Sequence, residues 1–218
     1  RDLRMSRGLG DVYKRQVPPA GNANYAWIQH MIHHLAPNGK IGLVLANGAL
    51  STQSSGEGDI RKNIIEADLV EGIVSMPTQL FYSVTIPVTL WFITKGKKQK
   101  GKTLFIDARK MGTMVTRKHR DFSEEDIRKL ADAFEAFQKG SLEEIRGFCA
   151  IADQETIKRQ DYILTPGRYV GIEEQEDDGE PFEEKMARLT SELSGLFEKS
   201  HKLETEIKER LGAIGYEI

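Results

Sequence analysis

The sequence predicts an α/β fold: the C-terminal half of a doubly wound sheet with an antiparallel edge pair, followed by a helical, coiled-coil tail. Three observations carry this. Amphipathic helical stretches alternate with short, continuous apolar runs over residues 24–107, the pattern of a sheet covered by helices on both faces. Two of those runs are joined by a segment too short for a helical crossover. Beyond residue 181, apolar residues recur at four-three spacing, which is the seam of a coiled coil.

Taken in order, residues 24–36 (NYAWIQHMIHHLA) set Tyr25, Ile28, Met31, Ile32 and Leu35 three and four apart, a helical stripe. Pro37-Asn38-Gly39 ends it, with Gly39 suited to the left-handed position after a helix. The run Ile41 to Ala46 in "KIGLVLANGAL" suits a strand buried on both faces. A second helix is expected over Asp59 to Ala67, with Ile60, Ile64 and Ile65 inward. "DLVEGIVSMP" reads as another buried strand, and "VTIPVTLWFITKG" as a β-branched, aromatic one closed by Gly96 and a basic "KGKKQKGK" turn. "TLFIDA" completes the series. "PTQLFYSVTIP" joins the second and third strands, so these two are expected to run antiparallel at one edge. The other half of the sheet is expected upstream of Val17.

After residue 120 the character changes. "DFSEEDIRKLADAFEAFQKG" is a capped helix in which Ser123 and Asp126 hold capping-box positions. "SLEEIRGF" and "DQETIKRQ" read as short helices, and "DYILTPGRYVGI" as extended and turn-rich. "EEQEDDGE" (173–180) reads as a solvated acidic linker. Phe182, Met186, Leu189, Leu193, Leu196, Leu203 and Ile207 then form the seam, broken only by Ser200. The expected division is 1–16 tail, 17–120 sheet domain, 121–172 helical extension and connecting segment, 173–180 linker and 181–212 coiled-coil helix.

The first sixteen residues are basic and lack the apolar core of a secretion signal. A solvated basic tail that binds nucleic acid is the ordinary reading. A second reading fits better: "SRGLGDVYKRQ" resembles the translation of a transposase sequencing adapter, with Arg1 to Met5 supplied by its stem and index, so genuine protein is expected from Val17. Without the tail the remainder is more acidic than the −2 of the whole chain, which excludes an autonomous, strongly basic DNA-binding domain. The single cysteine, Cys149, excludes a disulfide framework and a multi-cysteine zinc site and suits a small buried apolar group. No apolar run approaches the roughly 18 residues of a membrane helix, so the compartment expected is the cytoplasm.

The segments "GNANYAWIQHMIHHLAPNGKIGLVLANGAL", "IRKNIIEADLVEGIVSMPTQLFYSVTIPVTLWFITKG", "LFIDARKM", the helix at 123–139 and "DYILTPGRYV" together resemble the modification subunit of type I restriction-modification systems. The resemblance covers Val17 to Ile218 and rests on the order and spacing of all five segments. It implies an S-adenosylmethionine-dependent methyltransferase (Rossmann-like) sheet and N6-adenine DNA methylation. It also bears on "VPPA" (Val17 to Ala20). Amino-methyltransferases carry a polar residue, two prolines and an aromatic, whereas Val17 and Ala20 can neither accept from an amine nor stack on a base. In the family the catalytic Asn-Pro-Pro-Phe precedes this segment, and the glycine-rich cofactor loop lies further upstream. Neither motif occurs in the 218 residues. The polypeptide is therefore expected to be a C-terminal piece that does not methylate alone.

The family's chemistry flips an adenine into a pocket. Phe81 and Tyr82 are the candidates to clamp the base, against Phe81 packing in the core and Tyr82 lying on the surface. Asn22 and Asn24 suit helix capping; the competing account has Asn24, Tyr25 or Trp27 lining a base or cofactor pocket. In the polar loop 46–62, Asn47 is a pocket candidate, and Arg61 and Lys62 are candidates to meet DNA phosphate, against an ordinary mobile surface loop. His30 and His34 share a helical face, but no further ligand is placed for a metal. The lysines from Lys95 to Lys102 touch DNA or simply solvate a turn, and Arg168 and Tyr169 are expected to pack.

The resemblance further implies that the heptad helix binds the specificity subunit, with DNA and a restriction subunit completing the partners and no membrane. An intrachain hairpin or a homodimer is the alternative for the seam. Two alternatives for the whole are a stand-alone adenine methylase and a non-catalytic coiled-coil interaction module.

Overall fold

The computed structural model describes residues 16–82, 85–172, 181–213 and 215–216. These form two compact units divided between Glu174 and Gln175. The acidic linker expected at 173–180 and residues 1–15 of the tail lie outside the described residues.

The first unit runs α1 (Asn24–His34), β1 (Lys40–Ala46), α2 (Glu57–Glu66), β2 (Val70–Ser75), β3 (Val88–Thr94), β4 (Lys102–Asp107), a small hairpin of β5 (Thr113–Met114) and β6 (Arg120–Asp121), α3 (Glu124–Lys139), β7 (Cys149–Asp153) and α4 (Gln154–Arg159). Five strands form one sheet in the order β1-β3-β2-β4-β7. β3 is antiparallel to both β1 and β2, β2 and β4 are parallel, and β7 is antiparallel to β4. β1, β2 and β4 therefore point the same way and end on one edge of the sheet.

Helices lie on both faces, as alternation requires. Tyr25, Ile28 and Ile32 of α1 and Ile60, Ile64 and Ile65 of α2 join Ile73, Trp91, Ile93 and Phe105 in one core. Ala133 and Phe137 of α3 join Val74, Val88, Leu104 and Ile106 in the other. Adjacent residues such as Ile73 and Val74 serve opposite cores because strand side chains alternate.

Several expectations are corrected. The antiparallel strand is not at an edge: β3 is inserted between β1 and β2, and its β-branched, aromatic composition suits a strand paired on both sides. β1 is not buried on both faces but is an edge strand. Its residues Gly42, Val44 and Ala46 are exposed, and only Leu45 is fully buried. α1 stops at His34, with Leu35 extended at ψ 123°, ahead of the bias that Pro37 imposes on Ala36. Gly39 does not have positive φ. A Cβ there would stand 2.6 Å from Leu35 Cδ1, so a larger residue would make the Leu35 side chain turn aside. "SLEEIRGF" is not helical. Ile145 bridges Cys149, the Gly147 N–H donates to Val170 O at 2.8 Å, and the Glu144 carboxylate accepts from Ile151 N–H. These bonds to Cys149, Ile151 and Val170 hold the segment in a non-helical turn. Residues 121–172 also contribute β7 to the main sheet, so they belong to the same compact unit.

Other expectations hold. The Ser123 hydroxyl accepts from Asp126 N–H at 3.1 Å and the Asp126 carboxylate from Ser123 N–H at 3.0 Å, a complete capping box. Asp153 caps α4 through Thr156 N–H, and Cys149 is buried.

The second unit is one helix, α5 (Phe182–Ala213), of 32 residues, about 48 Å long at 1.5 Å per residue. It buries none of its residues. No helix among the described residues is long and apolar enough to cross a membrane.

Candidate functional site

Ligands of open α/β sheets bind outside the carboxyl ends of the parallel strands. Here that edge gathers three connections. β1 runs into the turn Asn47–Leu50 and a polar loop, β2 into residues 76–87, and β4 into the β5–β6 hairpin. The start of α1 reaches the same place, because the Tyr25 hydroxyl donates to Ala49 O at 2.7 Å.

Two candidates are structural. Tyr25 is buried edge-on to Trp91, with ring centroids 6.4 Å apart, and burial pushes its hydroxyl up to about 12. Arg61 is fully buried. Its Nε donates to Tyr162 O at 2.7 Å, and its Nη1 to Thr52 O at 2.6 Å and to the Tyr25 hydroxyl at 3.5 Å. A guanidinium committed to interior carbonyls cannot reach a DNA phosphate, so Arg61 instead ties the polar loop to the chain 101 residues later. Lys62, one position on, is half-exposed beside Glu66 and over the Tyr162 ring.

The remaining candidates stay accessible. Asn22 Oδ1 accepts from Asn24 N–H at 3.1 Å, so the side chain engaged at the helix start is that of Asn22. Trp27 is exposed and meets His30 edge-on. Asn47 is exposed at the end of β1. Phe81 is 44% and Tyr82 87% exposed, so neither is a core aromatic. Tyr82 stacks on His119 at 4.2 Å and 12°, a pairing across the β2 and β4 connections that local sequence patterns do not encode. Asn24, Asn47, Phe81 and Tyr82 are thus brought to one edge of the sheet, while Tyr25 and Arg61 lie beneath it.

A polar concavity of about 360 Å³ opens there, lined by Pro19, Asn22, Thr52, Ser54, Ser55 and Glu57. Glu57 is buried and accepts from the Thr52 hydroxyl at 2.7 Å, leaving its Oε1 without a partner. Pro19 of the "VPPA" segment belongs to this wall.

The basic turn at 95–102 joins the end of β3 to the start of β4, so it lies at the opposite edge of the sheet. Lys97 is buried against Asp68, and desolvation lowers its pKa, opposed by that carboxylate. Lys95 donates to Leu35 O. Tyr169 packs as expected: its ring stacks on Phe105 at 3.8 Å and burial raises its hydroxyl pKa. Among the described residues no cluster of three His, Cys, Asp or Glu side chains is placed to hold a metal ion.

Residues 7–178 match the family model described as N-6 DNA Methylase. The chain belongs to that family. Among curated proteins, it is 56% identical over 202 residues to the type I restriction enzyme HindI methylase subunit of Haemophilus influenzae, covering 92% of this chain and 46% of that protein. It is 50% identical over 208 residues to the MjaIX methylase subunit of Methanocaldococcus jannaschii, covering 93% of this chain and 37% of that one. The chain therefore spans less than half the length of these two relatives. Among solved structures, a type I restriction-modification methyltransferase subunit from Streptococcus thermophilus is similar with a TM-score of 0.65 and 28% identity, over 72% of this chain and 32% of that one.

Proposed function

We propose that this chain is the C-terminal part of the modification subunit of a type I restriction-modification system, an enzyme that methylates adenine N6 in DNA with S-adenosylmethionine. The 56% identity to a type I methylase subunit across 92% of the chain carries this reading. The enzyme acts in the cytoplasm, assembled with a specificity subunit that chooses the DNA site and with a restriction subunit.

In this reading the chain supplies only part of a methyl-donor site. No glycine-rich phosphate or cofactor loop is present, and the polar concavity at the carboxyl edge offers the Glu57 carboxylate and small hydroxyls but no aromatic to hold adenine. No methyl-transfer step is assigned to them. Their contribution is to the target base. Phe81 and Tyr82 supply aromatic surface at the edge where a flipped adenine is presented, with Asn47 and Asn24 at the same edge and Trp27 a further candidate on α1. Lys62 remains a phosphate contact candidate. The exposed α5 seam from Phe182 to Ile207 is the surface for the specificity subunit, since seven apolar residues at heptad spacing need a partner helix.

The test is incorporation of tritiated methyl groups from S-adenosylmethionine into DNA. The 218-residue chain alone incorporates none. A methylase in which this chain follows an upstream segment carrying Asn-Pro-Pro-Phe, together with its specificity subunit, labels adenine N6. Labelling by the chain alone, or none by the assembly, overturns the proposal.

A further inference from the structure

Residues 109–120 (RKMGTMVTRKHR) hold five lysines and arginines and a histidine with no acid, in a chain whose net charge is −2. Two of these cations are internal braces. Arg109 is clasped by the Asp107 carboxylate at 2.6 Å, and Arg120 Nη1 donates to the carbonyls of Met111 and Gly112 at 3.0 and 2.9 Å. Arg117 and Lys118 stand apart at the exposed turn between β5 and β6, and none of the ion pairs among the described residues involves either side chain.

That turn is braced by its own bonds. Val115 N–H donates to His119 O at 2.9 Å, and Thr116 Oγ1 accepts from His119 N–H at 3.1 Å. The hairpin is also fastened to the aromatic loop that follows β2. Arg120 N–H donates to Gln79 O at 2.8 Å, and the His119 imidazole lies flat against the Tyr82 ring. Two unpaired cations are therefore held on a braced support, attached to the loop that bears Phe81 and Tyr82.

We propose that this hairpin is a DNA-backbone contact, in which Arg117 and Lys118 take phosphates beside the target adenine and His119 positions the Tyr82 ring. Charge of one sign on an ordered turn suits phosphate, which carries no sequence information and fixes register. The inference rests on the methyltransferase reading and adds residues to it.

The test measures duplex DNA binding by the assembled methylase and specificity subunit, using fluorescence anisotropy across a range of NaCl concentrations. Each phosphate contact contributes about 0.9 to the slope of log affinity against log salt. The variant Arg117→Gln/Lys118→Gln is expected to flatten that slope by about 2, with the same loss on target and non-target duplexes. His119→Ala is expected to keep the slope and to raise the fluorescence of 2-aminopurine placed at the target adenine, and His119→Phe, which restores a stacking ring, to reverse it. An unchanged slope overturns the phosphate contact, and unchanged fluorescence overturns the positioning role. Failure of the Arg117→Gln/Lys118→Gln variant to assemble with the specificity subunit overturns the phosphate contact and makes the hairpin a protein contact instead. A parent assembly that neither binds nor methylates DNA overturns the methyltransferase reading, whereas a parent that does both while the variants match it overturns only the hairpin.

Discussion

Arg61 and Tyr82 show how differently two candidates in the connections of the sheet can end. Arg61 sits in a helix whose neighbours Asp59 and Lys62 mark a solvated face, yet its guanidinium fills the interior and holds Tyr162 O and Thr52 O. Arg61→Ala strands those carbonyls and is expected to cost about 3 kcal/mol in urea unfolding, since bonds to charged donors are the strong ones and buried acceptors left unmade are penalised. A loss under about 0.5 kcal/mol would remove it from this role. Tyr82→Ala, at 87% exposure, is expected to leave stability within about 0.5 kcal/mol of the parent while weakening binding to a duplex with the target adenine unpaired. The candidate site was half legible in the sequence. Phe81, Tyr82 and Asn47 follow from their place after strands, whereas burial of Arg61 depends on a carbonyl 101 residues away and the His119 contact on a second connection.

Helices were the most legible elements, because a 3.6-residue period and caps are local. Ser123→Ala is expected to cost about 1 kcal/mol by removing the N-cap of α3, read as a shift in the urea midpoint. The Ser123 hydroxyl and amide hold the Asp126 carboxyl below its ordinary 3.8. A depressed carboxyl contributes stability above 3.8 that disappears as pH falls through its lowered value. The gap between parent and variant should therefore narrow below pH 3.8 by the share carried by the hydroxyl's bond to the carboxylate, while the cap on Asp126 N–H persists, and a gap constant from pH 7 to pH 2 contradicts the pairing. "SLEEIRGF" misled because it imitates a cap and a helical period, while the bonds that decide it come from Cys149, Ile151 and Val170. For α5, Leu193→Lys is expected to preserve far-ultraviolet circular dichroism and abolish copurification with the specificity subunit. Retained copurification would move that contact elsewhere.

At the scale of the molecule, alternation revealed a helix-covered sheet, and the short link between β2 and β3 revealed their antiparallel sense. Strand order was hidden, because periodicity says which faces are apolar and nothing about which neighbour a strand takes. That is why β3 was expected at an edge and β1 inside. As observed, β1 pairs with β3 alone among the described strands and shows Val44 at 48% exposure on its open face. An apolar edge of this kind is a template for pairing with other chains. The chain by itself is expected to self-associate, and Val44→Lys to lower its weight-average mass in sedimentation equilibrium. An unchanged mass would place the association elsewhere.

The reversed direction of β3 has one more effect. Because β2 arrives at the carboxyl edge and β3 departs from it, residues 76–87 begin and end in adjacent, hydrogen-bonded strands. The segment is a handle soldered at both feet. Its length can be varied without changing the pairing of either strand, provided Gln79 and Tyr82 keep their contacts to the β5–β6 hairpin.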